Sequence, residues 1–329
     1  MTKMEIARPP IAAWSSIMTN PCVEQIAHTA PEVQLWSIGC EDGRSYIMRA
    51  FGPWRPGASL ADEYRVLLHL QGAGVPVAVP IVTDDAMLCV KDGDYNYVLA
   101  PRLAADGNGN HELPSKAGDV CFRIGSAIGA LHAGLAEYPW PVKSYKHDLL
   151  NHAFEHAYPK LPEEVRAHSA DPHRDAAMAM LRGLPVQLIH GDCNAGNVLL
   201  SDGHVSGFID LDHLPVGERI YDLSYYLVHC VREVTARPGE QERLGSALLS
   251  GVGRYVDGYD AVNALSSAER GAIPAAILAA AISLTSWSYL LLTEMSYRAG
   301  PNEPESYATG VSSLDWISRN FMELANAVG

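Results

Sequence analysis

The pattern of apolar residues changes near residue 102, and this change limits the chain to few architectures. Residues 22–101 read mostly as β-strands with one helical run that begins at Ser59. Beyond them the runs are mainly helical, except for residues 186–214, which read as a β-hairpin. The sequence therefore predicts an α+β fold with a small antiparallel N-terminal domain, residues 1–101, and a larger helical C-terminal domain, residues 102–329.

Local signals support this division. Asp42-Gly43 lies between two strand-like runs and predicts a hairpin turn, and further strands are expected over 79–82 and 95–100. Gly72 and Gly74 are expected to end the helix that begins at Ser59. A glycine- and asparagine-rich segment over 105–115 marks the domain boundary, which we place just before it, near Arg102. In the second domain, residues 145–183 predict amphipathic helix, and strands are expected over 187–190 and 206–211.

Charge and cysteine usage exclude several classes of partner and compartment. The 24 Lys and Arg against 38 Asp and Glu give a net charge of −14, which repels nucleic-acid phosphates and anionic lipids. The six cysteines include no C-x-x-C pair, so neither zinc nor a disulfide framework is expected. Two early prolines argue against a signal peptide. We therefore expect a cytoplasmic protein that binds neither nucleic acid nor membranes.

One apolar segment is long enough to span a membrane. Residues 271–293 contain no charged side chain, but much of their apolarity is alanine. Pro274 lies near the start of the segment, and Ser283, Thr285 and Ser286 lie within it. The segment therefore predicts a buried core helix.

The residues suited to chemistry are concentrated in the strand-like part of the second domain. Asp192 and Asn197 lie five residues apart in one loop, and Asp210 follows on the next strand. Phosphoryl transfer needs a carboxylate near the attacking hydroxyl and hard oxygen ligands for magnesium. Each residue alone is more often a turn residue, but the ordered set favours a phosphoryl-transfer site.

The same motifs resemble those of the aminoglycoside phosphotransferases, small-molecule kinases that share the protein-kinase fold. The residues IHGDCNAGNVLL, GFIDLDH and GERIYDLSYYL match the family pattern in order and spacing. The resemblance implies a bilobal protein-kinase-like fold. It implies that Asp192 is the catalytic base or orients the hydroxyl, that Asn197 and Asp210 bind magnesium, and that Asp222 is a buried carboxylate bracing the loop.

The N-terminal domain matches the family less closely. The position of the family's strand lysine, which contacts nucleotide phosphates, is occupied by Arg49, with Glu63 as its expected helix partner. Arginine keeps the positive charge and can bind phosphate in a bidentate manner, but it is not equivalent to lysine. The alternative is that Arg49 is a surface strand residue and Glu63 a solvated helix residue.

Other nucleotide contacts are also implied by the resemblance. Ala100 and Leu103 fall where the family's hinge binds adenine through backbone groups, and Pro101 between them has no N–H. The phosphate loop corresponds to residues 28–31, which lack a glycine-rich run. Asp212 is expected either to position the metal or acceptor substrate, or to be a turn residue.

Histidines and cysteines near these motifs are expected to have no direct catalytic role. His132, His190 and His213 share no spaced ligand motif and read as hydrogen-bonded structural residues. Cys193 has no histidine partner in the local sequence, which argues against a thiol nucleophile.

These observations together favour a kinase that transfers the γ-phosphoryl group of ATP or GTP to a hydroxyl of a small molecule, with Mg²⁺ as cofactor. The acceptor expected from the resemblance is an antibiotic or natural product, which implies a role in antibiotic resistance. Two alternatives remain open: a kinase of a metabolite such as homoserine, an amino sugar or a choline-like compound, and a nucleotide-binding pseudoenzyme. A protein kinase is disfavoured because no A-P-E or D-F-G segment follows the loop.

Overall fold

The chain forms two units of unequal size, each with its own core. The computed structural model describes residues 9–26, 33–52, 57–106, 118–142 and 149–329. The first unit comprises Met1–Gly72 and Val77–Leu103, and the second comprises Ala73–Pro76 and Ala104–Gly329. The fold is thus a small antiparallel sheet followed by a mainly helical region, as the sequence predicts.

The first unit is built on an antiparallel sheet. Its strands are β1 (Cys22–Ile26), β2 (Val33–Gly39), β3 (Ser45–Phe51), β4 (Val90–Asp92) and β5 (Tyr95–Pro101), in the order β1-β2-β3-β5-β4. The predicted hairpin at Asp42-Gly43 is confirmed: it joins β2 to β3, and Gly43 has a φ of 86°. Helix α1 (Gly57–Gly72) ends at the predicted glycine.

The two faces of this sheet have different neighbours because side chains alternate along each strand. One face buries a cluster that includes Trp14, Trp36 and Met48. The opposite face buries Phe51 and Val98 against Leu60 of α1. Along β3, Met48 belongs to the first face and Phe51 to the second. Arg49 is two residues before Phe51 and therefore lies on the second face, which α1 covers.

The prediction of a β-strand over 79–82 is wrong. Ile81 forms only an isolated bridge to Leu99, and its carbonyl accepts a hydrogen bond from Trp14 Nε1 at 2.7 Å. Pro76 and Pro80 lack the N–H that a strand needs for its ladder, so the extended run cannot become a regular strand.

The second unit is mainly helical. Its helices are α2 (Gly118–Ala136), α3 (Leu149–His152), α4 (Glu163–Val165), α5 (Arg174–Leu181), α6 (Ile220–Thr235), α7 (Gln241–Asp260), α8 (Ser267–Thr293), α9 (Glu303–Arg319) and α10 (Phe321–Val328). The amphipathic helix predicted over 145–183, of which 145–148 lie outside the described residues, is divided into α3 to α5, with π-helical and 3₁₀-helical turns between them. Pro159 and Pro162 cannot donate helix hydrogen bonds, which explains part of this break-up.

Helix α8 contains the apolar segment that could span a membrane by length and composition. In the structure 67% of its most apolar window is buried inside the protein. Ser266 and Glu269 form a reciprocal capping box at its start. The predicted core helix is therefore confirmed.

Two short antiparallel sheets of two strands each lie among the helices. Strand β6 (Val186–Leu188) pairs with β9 (Val216–Glu218), and β7 (Val198–Ser201) pairs with β8 (His204–Phe208). The single hairpin predicted from the strand-like runs 187–190 and 206–211 is therefore wrong, since those runs pair with other strands. Asp202 and Gly203, with φ of 50° and 72°, close the turn that joins β7 to β8.

Candidate active site

The polar loop identified in the sequence lies between β6 and β7 and is fixed by backbone hydrogen bonds. Ile189 N donates to Pro215 O at 2.9 Å, and Ile209 N donates to Asn197 O at 3.0 Å. These bonds tie the loop over residues 189–197 to the segment over 209–215. The predicted residues Asp192, Asn197 and Asp210 are thereby brought into one region of the second unit.

Gly191 gives the loop a path that other residues cannot follow. Its φ is 78°, in the left-handed region, and a Cβ built on it would lie 2.5 Å from both Cδ and Cγ of Pro215. Only glycine avoids both the conformational cost and this clash. Backbone conformation and packing against Pro215 therefore both require glycine immediately before Asp192.

Asp222, near the start of α6, fixes the loop by accepting hydrogen bonds from two of its backbone N–H groups. One of its carboxylate oxygens accepts from His190 N at 2.8 Å and the other from Gly191 N at 2.9 Å. The side chain is fully buried. Burial alone raises the pKa of this carboxyl, but hydrogen bonds and charge from His132, with lesser contributions from His190 and Gly191, leave its pKa below the usual value. Asp222 is thus an ionised brace, as the resemblance implies.

A buried hydrogen-bond chain extends from Asp222 to α7. His132 Nε2 lies 2.8 Å from Asp222 Oδ2, and its Nδ1 lies 2.9 Å from the hydroxyl of Tyr259. The ring nitrogen Nε2 can donate to the carboxylate, while Nδ1 pairs with the tyrosine hydroxyl, which can either donate or accept. His190 likewise contacts Ile209 O through Nε2 at 3.0 Å. Both histidines are hydrogen-bonded structural residues, as predicted.

Asp192 is held in the loop by an amide. Asn197 Nδ2 donates to the backbone oxygen of Asp192 at 2.9 Å and to its carboxylate at 3.0 Å. Asn194 closes the turn between them by accepting from the backbone N–H of Gly196 and Asn197. Because the amide nitrogen of Asn197 faces Asp192, its oxygen is directed elsewhere and can serve as a ligand.

Asp210 follows β8 and has a left-handed backbone, with φ of 64°. The bond from Ile209 N to Asn197 O places it beside Asn197 in the backbone network. An amide oxygen and a carboxylate are the ligand types that magnesium prefers, and phosphate oxygens commonly complete its coordination. The donor set at this position therefore fits magnesium. Asp212 is partly buried, and its Oδ1 lies 3.7 Å from His213 Nε2.

Sequence reasoning missed an aromatic residue at the site. Tyr225 of α6 is buried, and its hydroxyl lies close enough to Asp192 for the charge of that carboxylate to act on it. Burial, and then the charge of Asp192, raise its pKa well above the usual value, so the phenol keeps its proton. Its ring stacks on Tyr221, with centroids 5.4 Å apart. Only the helical spacing of these residues from Asp222 could have indicated their position.

The predicted nucleotide-binding residues lie in the first unit. Arg49 is on β3, opposite Val98 of β5, and its guanidinium lies over the ring of Phe51 at 4.7 Å. Glu63 of α1 is buried, one turn after Leu60. The alternative of a solvated Glu63 is therefore wrong. Ala100 is on β5 and Leu103 follows it, whereas residues 28–31 lie outside the described part of the chain.

Cys193 is fully buried beside Asp192. Burial, with the nearby charges of Asp222 and Asp192, raises the pKa of its thiol well above the usual value. A protonated, inaccessible thiol does not act as a nucleophile.

The chain was then compared with known proteins. Residues 34–265 match the model of the phosphotransferase enzyme family. Among curated relatives, homoserine kinase of Neisseria meningitidis serogroup B is 27% identical over 71% of this chain and 74% of its own length. Stress response kinase A of Salmonella choleraesuis is 27% identical over 58% of this chain, and the match spans 59% of that protein.

Solved structures of similar fold were also found. A microcompartment-associated aminopropanol kinase superposes with a TM-score of 0.68 at 14% identity, covering 96% of both chains. An amicoumacin kinase in complex with AMP-PNP, Ca²⁺ and Ami superposes with a TM-score of 0.65 at 16% identity, covering 92% of this chain and 91% of the other. At these identities the likeness establishes the fold.

Proposed function

The chain belongs to the phosphotransferase enzyme family, whose members include small-molecule kinases, and we propose that it transfers the γ-phosphoryl group of ATP or GTP to a hydroxyl of a small molecule. The observation that carries this proposal is the arrangement of Asp192. Its carboxylate is held by the amide of Asn197, on a loop that the ionised Asp222 braces.

In this proposal Asp192 acts on the acceptor hydroxyl. Its carboxylate orients the hydroxyl and takes its proton as the oxygen attacks the γ-phosphorus. Tyr225, a protonated phenol within electrostatic range of this carboxylate, would help to orient it. The loop contributes chiefly by positioning, since phosphoryl transfer requires little covalent help from the protein.

Asn197 and Asp210 would hold the divalent cation. When bound, Mg²⁺ neutralises charge on the β- and γ-phosphates. Asp212, next but one to Asp210, would position the metal or the acceptor.

The nucleotide itself would be held by the first unit. We propose that Arg49 binds phosphate in place of the family lysine and that Glu63 orients it. Two observations support this role: Arg49 lies on the sheet face that α1 covers, and Glu63 of α1 is buried. A buried carboxylate requires a charged or hydrogen-bonding partner. Ala100 and Leu103 would meet the base through backbone groups.

The acceptor has two candidate classes. The amicoumacin kinase supports an antibiotic, which would make the chain a resistance enzyme, and the homoserine kinase supports a metabolite. In either case we propose a cytoplasmic enzyme whose partner is a small molecule rather than nucleic acid or a membrane, consistent with its net charge of −14.

The cation site can be tested with a pair of matched variants. Asp210 and Asp202 both have left-handed backbones, and asparagine tolerates this conformation, so neither Asp210→Asn nor Asp202→Asn adds backbone strain. By calorimetry, Asp210→Asn should weaken MgATP binding about tenfold or more because a charged ligand is lost. Asp202→Asn should bind as the parent does. Equal MgATP affinity in both variants would show that Asp210 is not a ligand.

A further inference from the structure

Arg232 is a half-buried cation on α6, the helix that also carries Asp222 and Tyr225. Its Nη2 donates to the backbone oxygen of Ser306 at 3.1 Å and to the Ser306 hydroxyl at 2.9 Å. Both of these partners are neutral. Within the described part of the chain, Arg232 makes no ion pair with a carboxylate.

A partly buried arginine with only neutral partners is unfavourable unless another group supplies a negative charge. Burial lowers the pKa of Arg232, and the charges of Tyr225, Glu303 and Glu233 only partly oppose this effect. A cation removed from water is normally paired with an anion. Arg232 is therefore suited to bind an anion that is not part of the described chain.

The position of Arg232 indicates which anion this is. Tyr225, whose hydroxyl is within range of the Asp192 charge, precedes Arg232 by two helical turns on the same face of α6, a rise of about 10 Å. The charge of Arg232 in turn acts on Tyr225. A small molecule with its hydroxyl at Asp192 would extend along this face toward Arg232.

The surroundings of this face are polar. The ring of His229 lies 4.9 Å from that of Tyr225, and the hydroxyl of Ser288 on α8 lies 3.1 Å from that of Ser306 on α9. Polar groups such as these can also hydrogen-bond to a hydrated or zwitterionic ligand.

We propose that Arg232 binds a carboxylate of the acceptor, so that the acceptor is a small hydroxy acid or hydroxyl-bearing amino acid. This inference rests on the proposed kinase function. In the reaction the acceptor O–H bond breaks and its proton passes to Asp192, the acceptor oxygen bonds to the γ-phosphorus, and the bond to the β-phosphate oxygen breaks to release the nucleoside diphosphate. The acceptor carboxylate is unchanged and serves only for binding.

The test uses acids paired with the same compounds lacking the carboxylate. The pairs are L-homoserine with 3-amino-1-propanol, L-serine with ethanolamine, and 4-hydroxybutyrate with 1-propanol. For at least one pair, the wild-type enzyme should phosphorylate the acid with the higher kcat/KM. Arg232→Gln should lower kcat/KM for that acid about ten- to a hundredfold, mainly through KM, and should affect its counterpart much less.

Two further variants separate binding from folding. Arg232→Lys keeps the charge without the planar fork and should fall between the parent and Arg232→Gln. Arg237→Gln removes an arginine just beyond the end of α6, which pairs with Glu233, and should leave the ratio between acid and counterpart unchanged. Melting temperatures of all variants check that the fold is intact.

Three results would overturn the inference. An equal loss for acid and counterpart in Arg232→Gln would show that Arg232 only tethers α9 through Ser306. A wild-type preference for the compounds without a carboxylate would exclude the proposed acceptor class. Turnover of none of these compounds would also exclude it. In that last case MgATP calorimetry on the parent and Asp210→Asn tests the proposed nucleotide and cation site separately, because it does not involve the acceptor, and turnover of an acceptor without a carboxylate, such as an antibiotic, would support the kinase proposal alone.

Discussion

At the scale of single residues, Arg49 is where the chain departs from the family pattern. If its guanidinium binds phosphate, Arg49→Ala removes a charge-assisted bond of about 1.5 to 3 kcal/mol. We expect turnover to fall roughly ten- to a hundredfold. Steady-state kinetics with saturating acceptor and varied MgATP measure this effect.

Arg49→Lys is the companion variant. It restores the family residue and keeps the charge, so near-normal turnover would mean that the site accepts either cation. Collapse would mean that the site requires the planar fork. An Arg49→Ala enzyme with unaltered kinetics would show that the N-terminal unit has been misaligned with the family.

The residues of the proposed catalytic loop could be singled out in the sequence because they are close together in the chain and ordered in a recognisable pattern. Asp192, Asn197 and Asp210 are in this category. Tyr225 and Arg232 could not be predicted, since in the sequence they are ordinary members of an amphipathic helix. Their distance from Asp192 depends on how α6 packs against the loop, and this tertiary packing cannot be read from a local sequence pattern.

At the scale of elements, the close crossing of α2 and α7 determines whether the brace behind the loop can form. A Cβ on Gly258 of α7 would lie 2.0 Å from the backbone oxygen of Phe122 on α2. Gly258→Ala must therefore separate two helices that bring His132 to Tyr259. We expect the free energy of unfolding to fall by about 1 to 3 kcal/mol or more, which is the usual cost of overpacking. Chemical denaturation measures it.

Gly271→Ala is the matched control for this prediction. Gly271 is also a helical glycine, on α8, but nothing lies within 4 Å of a Cβ placed there. The substitution should be neutral or stabilise the protein by up to about 1 kcal/mol, because alanine is the better helix former. Equal effects of the two variants would contradict the packing argument.

Elements with strong periodicity were predicted well, and elements that depend on pairing were not. Helices α1 and α8 and the first hairpin follow from local patterns and glycine positions. The strand expected over 79–82 and the single hairpin expected from the runs 187–190 and 206–211 were wrong, because partners distant in sequence decide which extended runs form ladders. The amphipathic helix expected over 145–183 is divided near prolines, which cannot donate helix hydrogen bonds.

At the scale of the whole molecule, the burial of α8 predicts how the protein partitions. Residues over 275–282 have at most 1% of their surface exposed. Most of the apolar surface of the helix is thus buried within the protein, although Trp287 near its end is 49% exposed. We expect the expressed protein to be recovered without detergent. Retention in membranes after salt and carbonate washing would contradict this.

The central claim is that Asp192 acts on the acceptor hydroxyl, and Asp192→Asn tests it most directly. The amide preserves size but cannot take the proton, so we predict that kcat falls by at least about a hundredfold. The MgATP dissociation constant should change little, because Asp192 is not among the nucleotide ligands proposed above. The measurement is kcat with the best acceptor, together with calorimetry of MgATP. A variant that keeps most of the parent kcat would contradict the account.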